Sequence, residues 1–158
     1  MKNQSVVERK SDRELVVSRT INGPARLVFD AWTKSDLFTR WWVPRSFPIT
    51  LRSHEADVRV GGTYKLVFSA GDQTMAFFGT YLEVTPHSRL VWTNDEGGEG
   101  TTVVTTVTFE ERGGKTLLTM HDLHPSKAAL DEAIASGSTA GPPESFAQLD
   151  ELIVSLPH

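Results

Sequence analysis

The stretch that most constrains this chain lies near its end, Glu144-Ser-Phe-Ala-Gln-Leu-Asp-Glu-Leu-Ile-Val-Ser-Leu156. Phe146, Leu149, Leu152, Ile153 and Leu156 recur at the three-and-four spacing of one helix face. Asp150 and Glu151 fall off that stripe. A helix this short cannot bury such a stripe by itself; it needs a surface to lie on. Nearly everything between residues 47 and 123 reads as strands and hairpins, which supply that surface. The sequence therefore predicts a curved antiparallel sheet closing around one helix.

The rest of the chain fits this picture. Residues 1–13 are polar and patternless and read as a flexible arm. Glu14 to Ile21 is β-branched and reads as a strand. Pro24 suits a first helical turn, and Leu27, Val28, Ala31 and Trp32 repeat at helical spacing after it. A second short helix follows through about Arg40 and ends in Trp41-Trp42-Val43-Pro44. Phe47 to Val60 reads as extended and carries His54, Glu55, Asp57 and Arg59. Further strands are expected over 63–69, 74–85, 89–94, 101–111 and 115–123. The glycine pairs Gly61-Gly62 and Gly113-Gly114, and the Gly97–Gly100 loop, fall between strands and read as turns, not phosphate cradles. Ser126 caps a helix whose apolar face is Ala129, Leu130, Ala133 and Ile134. Gly137 to Pro143 interrupts it before the final helix. Strands and helices do not alternate, so the fold class is α+β with about seven antiparallel strands and two short helices after the first. One domain is expected over 14–156.

Composition narrows the function classes. The chain has no cysteine, which excludes disulfides, thiolate metal sites and a cysteine nucleophile, and fits a cytoplasmic location. A net charge of -4 without a basic run argues against nucleic acid as a partner. No apolar run approaches the roughly 18 residues that span a bilayer. The N-terminus has no apolar stretch of signal-peptide length.

At this point a resemblance enters. Val17-Ser-Arg-Thr-Ile-Asn-Gly-Pro24, Val28-Phe-Asp-Ala-Trp-Thr33, Trp41-Trp-Val-Pro44, Asp57-Val-Arg-Val-Gly-Gly-Thr-Tyr64, Gly79-Thr-Tyr-Leu-Glu-Val-Thr-Pro86 with Arg89-Leu-Val-Trp92, and Leu149-Asp-Glu-Leu152 occur in order over residues 14–156. The chain resembles the helix-grip superfamily of START and Bet v 1-like (SRPBCC) domains. Within it, the chain resembles bacterial proteins similar to the C-terminal domain of the activator of Hsp90 ATPase. The resemblance implies a seven-stranded sheet gripping a long C-terminal helix, with a cavity between them. Two departures mark this chain: Val43 stands where the family usually has Gly, and Pro142-Pro143 lies where its helix is more often continuous.

The candidate site follows from this picture. A small apolar or amphipathic ligand would sit between sheet and helix. Tyr64, Phe77, Tyr81 and Trp92 would form the wall, Phe146 and Leu149 the lid, and Trp41 or Trp42 the mouth, with Asp57 and Arg59 fixing a polar end. The bland alternatives are that Trp41-Trp42 only docks the helix pair, and that Asp57 and Arg59 lie on a solvated strand face. His121-Asp122-Leu123-His124 looks metal-like, but neighbouring strand residues point to opposite faces, so no metal site is expected. No cofactor is implied. A second function hypothesis is a cyclase- or hydrolase-like enzyme with an acid–base pair among His54, Glu55, Asp57 and His121. A third is a chaperone-associated or regulatory interaction module. The 74–85 strand is apolar on both faces, which motivates a homodimer.

Overall fold

A computed structural model describes residues 5–94, 102–136 and 141–157. The expected Gly97–Gly100 loop and positions 137–140 of the expected helix break lie outside them. Eight strands form one antiparallel sheet in the order β1-β2-β8-β7-β6-β5-β4-β3. They are β1 (Val6–Arg9), β2 (Glu14–Ile21), β3 (Thr50–Ala56), β4 (Thr63–Ala70), β5 (Gln73–Thr85), β6 (Arg89–Asn94), β7 (Val103–Arg112) and β8 (Lys115–Leu123). The helices are α1 (Ala25–Thr33), α2 (Ser35–Phe38), α3 (Lys127–Ala135) and α4 (Pro142–Ser155). The fold is the expected α+β architecture.

Local chemistry explains the elements. Gly113 and Gly114, at φ 59 and 80, form the two-residue turn between β7 and β8, where Arg112 pairs with Lys115. The hydroxyl oxygen of Ser126 accepts from the Ala129 amide and caps α3. Pro142 and Pro143 occupy the first turn of α4, where their missing N–H groups cost nothing. The final helix thus starts at the prolines, separate from α3.

The strand count is one above expectation because of β1. All four of its residues are exposed, so it carries no burial pattern to read. It is a strand only because Val6 to Arg9 pair with β2 at the sheet edge.

The stripe on α4 packs as its spacing requires. Phe146, Leu149 and Ile153 are completely buried and Leu152 nearly so. Each contributes about 1.5–3 kcal/mol by leaving water. The polar face of α4 is as important. Asp150 accepts from the Asn22 amide at 2.7 Å and lies 3.5 Å from Arg19 of β2. Ser145 donates to the Trp42 carbonyl at 2.7 Å, and Glu144 accepts from the Ser46 amide at 2.9 Å. Gln148 accepts from the Arg45 amide at 2.8 Å and donates to the carbonyls of Trp41 and Val43 at 3.0 and 2.8 Å. These bonds tie α4 to Arg19 and Asn22 and to the 41–46 segment, and fix its height above the sheet.

Candidate functional site

In an antiparallel sheet, directly paired residues project from the same face. One such row runs across five strands: Leu15 opposite Asp122, Asp122 opposite Thr105, Thr105 opposite Trp92, and Trp92 opposite Tyr81. This row is the floor of a space beneath α4. The space has two adjoining parts of about 360 and 200 Å³. Their walls share Trp42, Leu66, Asn94, Met120, Asp122 and Pro142. The larger part reaches Phe77, Phe146 and, on α3, Ala133. The smaller one is ringed by Trp32, Phe38, His54, Tyr64, Tyr81 and Trp92.

The sequence-derived residues divide accordingly. Trp42, Tyr64, Phe77, Tyr81, Trp92 and Phe146 all border this space. Trp41 does not. It is completely buried in the core, its indole N–H donates to the Ala31 carbonyl at 2.9 Å, and its ring meets Trp32 edge-on at 4.8 Å. Leu149 is likewise core and borders neither part.

Asp57 and Arg59 lie away from the space. The strand expected to run to Val60 ends at Ala56. The chain then turns: Arg59 N–H donates to the Asp57 carbonyl and Gly62 N–H to the Arg59 carbonyl. A Cβ on Gly62 would stand 2.0 Å from the Asp57 carbonyl oxygen, so the turn requires glycine there. Off the strand, Asp57 and Arg59 form an exposed ion pair at 2.7 Å.

The acid–base candidates also change. Glu55 is exposed. His121 faces away from the space and meets Glu14 at 2.6 Å. Its neighbour Asp122 points inward, so the two diverge as strand geometry demands. His54 does border the smaller part, stacked on Phe38 at 4.3 Å.

The inward carboxyl is therefore Asp122, a residue that sequence reading considered only as a metal ligand. It continues the inward face of β8 after Thr116, Leu118 and Met120, and that two-residue period was the available signal. Asp122 retains an intermediate accessible area because it borders both parts, while protein crowds its other sides. Thr105 donates to its Oδ1 at 2.6 Å. Burial pushes its carboxyl above the ordinary 3.8, against the opposing pull of the Thr105 hydroxyl and of His124 and His121.

With a folded value above the unfolded one, the unfolded chain releases this proton first. Stability is therefore lost as pH rises from about 3.8 through the folded value. Asp122→Asn keeps an acceptor for Thr105 without the charge. It is expected to raise the unfolding temperature at pH 7.5 by about 2–4 °C for each kcal/mol of relieved burial. The gain should fade below pH 4, which paired thermal scans at the two pH values would check.

Histidine behaves oppositely. Burial lowers the His54 value below 6.5; burial also lowers that of His124, against the raising pull of Asp122. Each has a buried Nδ1 without a hydrogen-bond partner among the described residues, as does the indole nitrogen of Trp32. A folded histidine value below 6.5 means that stabilisation is present above pH 6.5 and is lost as pH falls through it. In the Asp122→Asn background, where the opposing carboxyl is absent, the unfolding temperature is expected to drop between pH 7.5 and 5.5, and His54→Leu should lessen that drop.

The same fold recurs in other proteins. The family model for activator of Hsp90 ATPase homolog 1-like proteins matches residues 22–153. The chain belongs to this family. No curated protein matches it significantly. Solved structures with the same fold include a protein from Rhodobacter sphaeroides, with a TM-score of 0.87 and 19% identity over 98% of this chain and 100% of that one. A Nitrosomonas europaea protein has a TM-score of 0.81 and 24% identity, covering 92% and 97% of the two chains. A Chromobacterium violaceum protein has a TM-score of 0.73 and 26% identity, covering 90% and 98%. Among the described residues, no helix is long and apolar enough to cross a membrane.

Proposed function

We propose that this protein binds a small apolar or amphipathic molecule between its sheet and α4. The observation that carries this reading is the pair of adjoining spaces, about 360 and 200 Å³, walled mainly by aromatic and aliphatic side chains. Close-packed interiors leave few voids larger than a water molecule, so space on this scale is what a ligand site needs. Burial at about 25 cal/mol per Å² would drive uptake, and Trp42, Tyr64, Phe77, Tyr81, Trp92 and Phe146 supply the surface.

The uncharged fluorophore N-phenyl-1-naphthylamine tests this. It is expected to brighten on binding with micromolar affinity. Ala133→Phe, which fills the larger part from α3, should weaken binding about tenfold or more at little cost in stability. Absence of any fluorescence change with the wild-type protein, confirmed by native mass spectrometry, would remove the proposal.

A second reading concerns the outer face. Phe78 and Leu82 of β5 are 46% and 50% exposed there. This favours association of two chains, or docking on a regulatory partner, through that face. A sedimentation mass of one chain at tens of micromolar would count against the homodimer.

A further inference from the structure

We infer that the ligand of this site is a hydrophobic amine, held by its ammonium group at Asp122. The inference rests on the binding proposal above and specifies the chemistry of what is bound.

Asp122 is the only carboxylate among the described residues that border either part of the space, and no Lys or Arg borders them. His54 and His124 do border them, but burial favours the neutral imidazole in both. Among the described residues the site thus offers one acid and no resident cation. A ligand carboxylate would bring a second negative charge beside Asp122 in a low-dielectric space, where two like charges are strongly disfavoured. A ligand ammonium brings the opposite charge and N–H donors to the carboxylate.

The walls point the same way. Trp42 and Trp92 border the space that Asp122 faces, with Tyr64 and Tyr81 across the smaller part. Aromatic faces attract cations and repel anions. The apolar remainder, including Val17, Leu66, Phe68 and Phe77, would cover a hydrocarbon or aromatic body. The Thr105 hydroxyl, beside Asp122 in the same row, donates to Asp122 Oδ1 and holds the carboxyl in place. A carboxyl whose burial costs stability is also what a binding group looks like when it is retained for its ligand.

Three matched probes test the inference by isothermal titration at pH 7.5: 2-naphthylmethylamine, 2-naphthylmethanol and 2-naphthoate. The amine is expected to bind at least about tenfold more tightly than the carboxylate, with the alcohol between them. Asp122→Asn, expected to fold at least as stably as wild type, should erase the preference for the amine over the alcohol. Equal or tighter binding of the carboxylate by the wild-type protein overturns the inference while leaving the binding proposal intact. An amine preference that survives in Asp122→Asn overturns it equally. Failure of all three probes, and of N-phenyl-1-naphthylamine, removes both.

Discussion

Gly79→Ala is expected to lose about 3 kcal/mol or more of folding stability, or to yield no folded protein, in a urea titration followed by tryptophan fluorescence. Gly79 lies in the interior of β5, directly opposite Tyr64 of β4. The Tyr64 hydroxyl donates to the Thr93 carbonyl of β6 at 2.6 Å, so its ring must reach across the glycine. An added Cβ would stand 1.7 Å from the Thr93 carbonyl oxygen and 2.9 Å from Tyr64 Cε2. A ring can swing aside, but a carbonyl held within a strand cannot. The substitution must therefore separate β5 from β6 near the Tyr81–Trp92 pair that walls the smaller space. Gly71→Ala is the control. Its φ of 61 strains an alanine, yet a Cβ there meets open space, so a loss of about 1 kcal/mol is expected. A Gly79→Ala midpoint corresponding to less than about 1 kcal/mol would contradict this account of the wall.

Much of the fold was legible because local and global signals agreed. Alternation in β4 put Tyr64, Leu66 and Phe68 on one face, and all three are buried. Glycine pairs punctuated the strands, and the α4 stripe announced a buried helix before any sheet was known. What failed was set by contacts rather than pattern. Val6–Arg9 becomes a strand by borrowing the edge of β2, which no periodicity records. Asp57 and Arg59 read as strand residues because a tight turn and a strand end have similar compositions. Only the close approach at Gly62 shows where the strand stops.

The lining of the space beneath α4 was legible in its apolar half. Period two found Phe77 and Tyr81 on β5, and aromatic content found Trp92. Trp41 and Trp42 were inseparable from sequence, since adjacent residues of the same type carry no label for core or cavity. Asp122 was missed because a carboxylate on an inward face contradicts the expectation that such faces are apolar. Local rules break most often at functional or strained sites, and the broken rule on β8 is a half-buried acid continuing the face of Leu118 and Met120.

Gln148→Leu carries the other large effect. A leucine fills a similar volume and would satisfy the apolar pattern of α4 better than glutamine does. It is nonetheless expected to cost about 3 kcal/mol or more, because it leaves the Arg45 amide and the Trp41 and Val43 carbonyls without this partner. Gln148 itself is only 5% exposed, so water cannot readily take its place. Gln148→Glu separates hydrogen bonding from packing. The carboxylate keeps the bond from Arg45 but aims negative charge at two carbonyl oxygens. Its destabilisation should shrink as pH falls and the carboxyl gains a proton able to serve one of them. A Leu variant within about 1 kcal/mol of wild type, or a Glu variant indifferent to pH, would mean that the 41–46 segment is held by its other ties to α4, those of Ser145, Glu144 and the Arg45–Glu151 ion pair. If Gln148 does set the height of α4, probe affinity should fall in both variants, because Trp42 and Val43 border the larger space from the segment it anchors.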